Sequence, residues 1–237
     1  MMEDLALTQH LPAFPHQWSR AQLNCVLHTY AHLHTSSFDS LEYDWLAARH
    51  ESFLNFELIP EQVATVQRTG IWGDIPDLAR LISYARISCE KYADEKISLL
   101  HADTTPTNAF FPKNLDSQLA TLIDWVDVGI GMPEFDLAYM DLQPFECARL
   151  IPRSELLDLY WCHRARIDSE IPSPEERRAR QLHADLVTTL WLSGTASRVA
   201  LHPYPEGTYP HLHWSSQFGI VYNRLKTLSK EIREIPL

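Results

Sequence analysis

Glycine, cysteine and basic residues are all scarce in this chain of 237 residues. There are only 7 Gly against 15 Pro, and no G-x-G-x-x-G stretch occurs, so the sequence offers no glycine-rich loop to cover phosphates. The four cysteines are scattered without a C-x-x-C pair. This pattern favours reduced thiols in a cytoplasmic protein over a disulfide framework or a zinc site.

The charge balance and the absence of long apolar runs narrow the choice of partners. Lys and Arg number 20 and Asp and Glu 31, giving a net charge of -11, which argues against nucleic acid as a partner and weakly favours cationic small molecules. No run approaches the ~18 apolar residues of a membrane-spanning helix, so no membrane partner is expected. Glu3 and Asp4 stand where a signal peptide would carry basic residues.

Apolar spacing predicts an α+β chain that is predominantly helical and forms a single domain over residues 1–237. Ser98–Leu100, Ala109–Phe111 and Leu122–Ile123 are short apolar runs typical of strands, which predicts a small β-hairpin element. The residues 202–214 lack periodicity and predict a loop that could contact substrate. The predicted helices are Ala21–His34, 41–58, 60–69, 76–92, Pro152–Ser169, Pro174–Ala200 and Ser216–Lys230.

The stretch 97–140 carries the chemistry. Asp103 and Asn108 fit the spacing H-x-D-x-x-x-x-N that begins at His101, and Asp124 ends the next apolar run. Phosphoryl transfer needs one carboxylate to orient or deprotonate the attacking hydroxyl, and amide and carboxylate oxygens to hold Mg²⁺. The residue types and their order therefore predict a catalytic and metal-binding core, with strand-flanked loops holding the three polar groups at one edge of a small sheet.

A fuller series follows in order: LIDW at Leu122–Trp125 and G-x-P-x-x-DLA at Gly131–Ala138. With the histidine motif, it resembles the aminoglycoside phosphotransferase and choline kinase-like family, which shares the protein kinase fold. The resemblance implies a kinase-like C-terminal lobe that uses ATP as phosphate donor. It also implies that Asp103 is the catalytic base, that Asn108 and Asp124 bind Mg²⁺, and that His101 and Asp136 brace the catalytic loop, with His101 counted among the catalytic residues.

The same resemblance predicts that the N-terminal lobe is missing, since no strand–lysine pattern precedes His101. Residues 1–18 would be a hinge remnant and leading segment, with Met2, Glu3 and Asp4 facing the adenine of the nucleotide. An apolar face where the absent lobe would pack could support a homodimer.

Three functions are compatible with these observations. The leading hypothesis is an ATP- and Mg²⁺-dependent phosphotransferase acting on a small-molecule hydroxyl, truncated and weakly active alone. The alternatives are a non-catalytic remnant or binding module that keeps the fold, and a helical domain that binds a metal for hydrolysis. Charge and aromatic content nominate six residues for an acceptor pocket, namely Asp39, Glu42, Asp44, Tyr204, Tyr209 and Trp214.

Overall fold

The computed structural model describes residues 9–10, 18–35, 54–93, 98–113, 115, 119–143 and 150–235. Within these ranges the chain is mainly helical and carries five short strands. The helices are α1 (Arg20–Thr35), α2 (Ile59–Arg68), α3 (Leu78–Lys91), α4 (Glu134–Asp141), α5 (Arg153–Ile167), α6 (Pro174–Leu201) and α7 (Tyr209–Arg233).

The strands form two small antiparallel sheets. The strands are β1 (Gln9–His10), β2 (Ser98–Leu100), β3 (Ala109–Pro112), β4 (Thr121–Leu122) and β5 (Gly129–Gly131). In the first sheet β3 lies between β1 and β4, with Ala109 opposite Leu122; in the second, β2 pairs with β5. The hairpin predicted around the catalytic loop is confirmed, since the β3–β4 pair begins directly after Asn108.

Several helix boundaries differ from the sequence prediction, and proline explains one of them. The helix predicted over 60–69 is confirmed as α2, with Pro60 in its first turn, where its missing N–H costs nothing. Residues 54–58 are not helical, and the rest of the predicted helix over 41–58 lies outside the described residues. Pro210 likewise lies in the first turn of α7, so the predicted loop over 202–214 is shorter, and helix begins at Tyr209.

The apolar core falls into two large clusters with a small one between them. The first packs α1 against α5 and the β3 strand, around Tyr30, Phe111 and Tyr160. The second packs α2, α3 and α7 around the 28-residue helix α6. The small cluster joins Leu100 and Ala102 to Ala184 of α6. The loop over residues 101–108, called the catalytic loop below, therefore lies where the two main parts of the core meet.

Among the described residues, no helix is long and apolar enough to cross a membrane.

Candidate active site

The β3–β4 hairpin brings Asn108 and Asp124 to the same end of the sheet. Ala109 pairs with Leu122, and the N–H of Ile123 donates to the carbonyl of Asn108 at 3.0 Å. Asn108 therefore precedes one strand of the hairpin while Asp124 follows the other. The structure thus places the two predicted metal ligands beside one another.

The side-chain amide of Asn108 holds Asp103 in place through two hydrogen bonds. Asn108 Nδ2 donates to the Asp103 carboxylate Oδ2 at 2.9 Å and to the Asp103 carbonyl at 3.1 Å. Only the NH₂ group of an amide can donate, so these bonds set the orientation of the Asn108 side chain. Its oxygen Oδ1 points elsewhere and accepts only a long contact of 3.4 Å from Thr107 Oγ1.

The second carboxylate oxygen of Asp103 is buried, and none of the described residues donates a hydrogen bond to it. Burial raises the pKa of the Asp103 carboxyl above its ordinary value, and the negative charge of Asp127 adds to the rise. The Asn108 amide, the His101 ring and, most weakly, the Thr105 hydroxyl act in the opposite direction. A buried acceptor without a donor is costly, so this oxygen is suited to receive an O–H from a bound molecule.

Asp136, the first-turn acid of α4, holds the start of the catalytic loop. Its two carboxylate oxygens accept the N–H groups of His101 at 2.9 Å and Ala102 at 2.8 Å. Its carboxyl is buried, which raises its pKa, but the hydrogen bonds from the His34 side chain and the His101 backbone help to outweigh burial and bring the pKa below the ordinary value. Asp136 is therefore an ionised side chain that accepts two backbone N–H groups of the loop.

His34 at the end of α1 supports Asp136 from the other side. Burial lowers the pKa of His34 in spite of the neighbouring Asp136 carboxylate, so the ring is neutral. Its Nε2 donates to Asp136 at 3.1 Å, and its Nδ1 accepts the hydroxyl of Tyr160 at 2.8 Å. Burial raises the pKa of Tyr160 well above its usual range, which keeps that hydroxyl a donor.

Both ring nitrogens of His101 are occupied by backbone groups. Nε2 donates to the carbonyl of Ile123 at 2.8 Å, and Nδ1 accepts the N–H of Asp103 at 3.3 Å. The ring is fully buried. This geometry supports a positioning role, because the ring ties the Asp103 loop to the residue before Asp124 and has no nitrogen left for a substrate.

Two residues of the site adopt left-handed backbone conformations. Ala102 has φ 69° and Asp124 has φ 61°. A residue with a Cβ in this region costs about 1–2 kcal/mol, and such strain is concentrated at functional sites. At Ala102 the conformation turns two successive N–H groups towards Asp136.

Asp127 is a candidate functional residue that the sequence analysis did not nominate. It ends the short 3₁₀ turn Trp125–Asp127, is exposed, and acts electrostatically on Asp103. The sequence signal was its place three residues after Asp124 in a turn leaving the hairpin. Its proximity to Asp103 depends on the folded loop and is not visible in the spacing alone.

The side-chain oxygens at this end of the hairpin suit a Mg²⁺ ion that is shared with water and phosphate, and not a metal ion held by protein side chains alone. In the described part of the chain, no three His, Cys, Asp or Glu side chains are grouped to hold a metal ion. Mg²⁺ usually takes one or two side-chain oxygens and completes its shell with water and substrate phosphates. The Asn108 amide oxygen and the exposed Asp124 carboxylate, at one end of the hairpin, match that demand.

The residues nominated for an acceptor pocket lie elsewhere or outside the described residues. Tyr204 and Trp214 line a cavity of about 450 Å³ at the C-terminal end of α6. Val199 in that cavity lies about 18 Å along the helix axis from Val187, which packs beside the catalytic loop. The remaining nominated side chains, including those expected to contact the nucleotide, lie outside the described part of the chain, namely Met2, Glu3, Asp4, Asp39, Glu42, Asp44 and Tyr209.

The hairpin brings together Asp103, Asn108 and Asp124, and Asp136 from the following helix binds the loop before it. Two aspartates and an asparagine in this order are the residue types that phosphoryl transfer uses. The family model described as "Phosphotransferase enzyme family" matches residues 26–145, half of the chain. The chain therefore belongs to this phosphotransferase family, and the resemblance inferred from its motifs is confirmed.

One solved structure agrees with this assignment at the level of the fold, and a second shows a weaker similarity. A candidate aminoglycoside phosphotransferase from Ralstonia eutropha JMP134 superposes with a TM-score of 0.55 at 12% identity, covering 92% of this chain and 67% of that one. Spectinomycin phosphotransferase APH(9)-Ia, solved with ADP and spectinomycin, has a TM-score of 0.48 at 15% identity, with 87% and 65% covered. The chain thus spans about two thirds of each. No curated protein matches the sequence significantly.

Proposed function

We propose that this protein transfers a phosphoryl group from Mg²⁺-bound ATP to a hydroxyl group of a small molecule. The observation that carries the proposal is the buried oxygen Oδ1 of Asp103, which accepts no hydrogen bond from the described residues while its partner oxygen is fixed by Asn108. A substrate hydroxyl is the donor that this arrangement lacks. The family assignment supports the reaction class.

In the proposed reaction, Asp103 orients the substrate hydroxyl and accepts its proton as the substrate oxygen forms a bond to the γ-phosphorus. The bond between that phosphorus and the β–γ bridging oxygen breaks, and ADP leaves. Asn108 and Asp124 would hold Mg²⁺, which would supply positive charge to the phosphates. Because Asp127 and burial both raise the pKa of Asp103, its carboxylate is a better base than an exposed aspartate would be.

The acceptor is proposed to carry a positive charge as well as its hydroxyl. Asp124 and Asp127 are both exposed, Asp127 acts electrostatically on the half-buried Asp103, and the whole chain has a net charge of -11. An amine on the substrate would be attracted to this rim, whereas a second anion would be repelled. Contacts from Asp39, Glu42, Asp44 or Tyr209 would add to this attraction and remain part of the proposal.

The part of the site that covers the nucleotide is proposed to be supplied by a segment other than this hairpin. The sequence before His101 has neither a glycine-rich loop nor a strand–lysine pattern. Exposed apolar side chains lie close to Asp124, at Leu119, Trp125 and Val126. They are suited to pack against a covering lobe or a second copy of the chain, and transfer by this chain alone is expected to be slow.

The test is phosphate transfer from ATP to a panel of amino alcohols and amino sugars by the wild-type chain and by Asp103→Asn. If Asp103 is the base, the substitution lowers transfer about 10²–10⁴-fold. Asp74→Asn, which changes an exposed aspartate in the turn before α3, is the matched control and keeps wild-type transfer. Equal rates for Asp103→Asn and the wild type would contradict the assignment.

Calorimetry separates the enzyme from a non-catalytic module that retains the fold. For the enzyme, ATP binding strengthens when Mg²⁺ is added, and Asp124→Asn removes that gain while leaving metal-free binding in place. A module without turnover shows no transfer to any acceptor in the panel, even when nucleotide is bound.

A further inference from the structure

A cavity of about 520 Å³ opens between α5, the first half of α6 and the last part of α7. On α6 it is lined by Gln181 and Asp185, whereas Ala184 and Val187 of the same helix pack beside the catalytic loop. Successive residues of a helix are turned by about 100°, so the cavity and the loop lie against different sides of α6. The cavity is therefore separate from the site around Asp103.

Asp185 organises the positive charge on one wall of the cavity. Its carboxylate is 4% exposed and accepts hydrogen bonds from both Arg153 and Arg224. Asp141 pairs with Arg153 at 3.0 Å, and Glu231 lies 3.4 Å from Arg224. These two arginines are thus held rigidly, with their guanidinium groups along the cavity.

Two further arginines face the cavity without an acidic partner among the described residues. Arg177 lies over the ring of Trp161, with its guanidinium carbon 5.2 Å from the ring centroid, and its buried Nε has no hydrogen-bond acceptor in the described structure. Arg178 also lines the cavity and is exposed. The cavity lining holds four arginines against three acids, Asp158, Asp185 and Glu231, so Arg177 and Arg178 leave a local positive surface that an anion can reach.

Gln181 adds a buried acceptor to the same cavity. Its side-chain NH₂ donates to Asp185 Oδ1 at 2.9 Å, which fixes the amide orientation because a carboxylate can only accept. The amide oxygen Oε1 is then left without a donor from the described residues, although Gln181 is only 5% exposed. A buried acceptor of this kind calls for an O–H or N–H from a ligand.

We propose that this cavity is a second binding site, for a small organic anion that also carries hydroxyl groups. The anionic group binds Arg177 and Arg178, a hydroxyl donates to Gln181 Oε1, and the carbon skeleton lies against Leu157, Trp161 and Leu182. Phosphorylated and carboxylated sugars both have this chemistry. The site is independent of the acceptor site at Asp103, because the two lie against different sides of α6.

Binding is expected to act on the helix that carries Asp136. Gln181 Nε2 also contacts the carbonyl of Glu134 at 3.4 Å, at the first residue of α4, and Arg153 pairs with Asp141 at the last. A ligand that fixes Gln181 therefore stabilises the first turn of α4, whose last turn is already held by Arg153. Its effect is measurable as a higher Tm of the whole chain.

The test is calorimetric titration of the chain with glucose 6-phosphate, gluconate, glucose and inorganic phosphate. Glucose 6-phosphate or gluconate is expected to bind with a dissociation constant at least about tenfold below those of glucose and phosphate, because the anion and the hydroxyl contribute together. The stronger of the two identifies the anionic group. No binding by either, or equal affinity for inorganic phosphate, overturns the proposal.

Variants locate the binding. Arg177→Gln is expected to lower the affinity for the tighter-binding probe at least about tenfold. Arg177→Lys keeps the charge and is expected to lower that affinity less. Arg198→Gln removes the same charge from an exposed position of α6 outside this cavity and leaves affinity unchanged. Asp103→Asn also leaves it unchanged, which excludes binding at the acceptor site. Equal losses in Arg177→Gln and Arg198→Gln, or loss in Asp103→Asn, overturn the assignment.

Discussion

At the scale of single residues, the Asp103 carboxylate that is proposed to act as the base also lowers the stability of the fold. Its pKa is raised by burial, so its folded pKa lies above the unfolded value of about 3.9. A group with a raised folded pKa contributes stability that is complete below the unfolded pKa and is lost as pH rises through the folded pKa. At neutral pH the ionised, incompletely hydrogen-bonded carboxylate therefore weakens the fold.

Asp103→Asn is accordingly expected to raise the Tm at pH 7, by about 2–4 °C for each kcal/mol regained. The gain shrinks as the pH is lowered towards 4, where the wild-type carboxyl becomes protonated as well. Thermal unfolding at a series of pH values measures both effects, with Asp74→Asn as the control. An unchanged or lower Tm at pH 7 would contradict the proposal that the ionised Asp103 carboxylate destabilises the fold.

The sequence identified the residues whose order along the chain is itself the signal. Asp103, Asn108 and Asp124 stand at fixed spacings around short apolar runs, and the structure brings them to one end of the hairpin. The partnership of His34 with Tyr160 was not predicted, because it joins helices separated by over a hundred residues. Contacts of that kind depend on how α1 packs on α5, which no local pattern encodes.

At the scale of elements, the packing of α1 on α5 contains a group of histidines. The His163 ring stacks on His28 with 4.8 Å between centroids, and His28 Nε2 lies 3.1 Å from His32 Nε2. Burial and the charges of His28, Arg166 and His32 lower the pKa of His163 to about 4. Burial likewise lowers the pKa of His28. Protonation of these rings opposes the helix–helix contact.

A histidine whose folded pKa is depressed stabilises the fold above its unfolded pKa, near 6.5, and loses that contribution as pH falls towards the folded value. The chain is therefore expected to lose stability between pH 6.5 and 4. His163→Gln keeps a donor for Asn24 and should flatten this loss, whereas His202→Gln, in an exposed position, should not. Urea unfolding measured across this pH range tests the prediction, and parallel curves for wild type and His163→Gln would refute it.

Element types were more predictable than element ends. Periodic apolar spacing located α1, α2, α3, α5 and α6 to within a few residues. Proline was harder to interpret, because the same residue can stop a helix or begin one. At Pro60 and Pro210 it begins one, and that choice depends on whether the following apolar residues find a surface to pack against, as they do on α6.

At the scale of the whole molecule, α6 is the axis on which the other helices assemble. Leu186 and Leu190 are fully buried among residues of α2, α3 and α7, and Ala184 and Val187 contact the small cluster beside the catalytic loop. Stability and the geometry of the site therefore share one helix. Disturbing its middle is expected to affect the fold as a unit.

Leu190→Ala should lower the free energy of unfolding by about 2–5 kcal/mol, through lost burial and the cavity left behind. Leu201→Ala, at the exposed end of the same helix, should change it by no more than about 0.5 kcal/mol. Urea unfolding followed by circular dichroism and tryptophan fluorescence measures both. A loss below about 1 kcal/mol for Leu190→Ala would show that α6 is not the centre of the core.

The brace beneath the catalytic loop has a consequence for protein engineering. Asp136 receives two N–H groups from the loop, but its orientation also depends on His34, which Tyr160 holds in turn. A graft of residues 97–140 into another scaffold would carry the aspartates and the asparagine without that histidine. The transplanted Asp136 would be free to rotate, and Ala102 would relax out of its left-handed conformation. A functional transplant must therefore include α1 and α5.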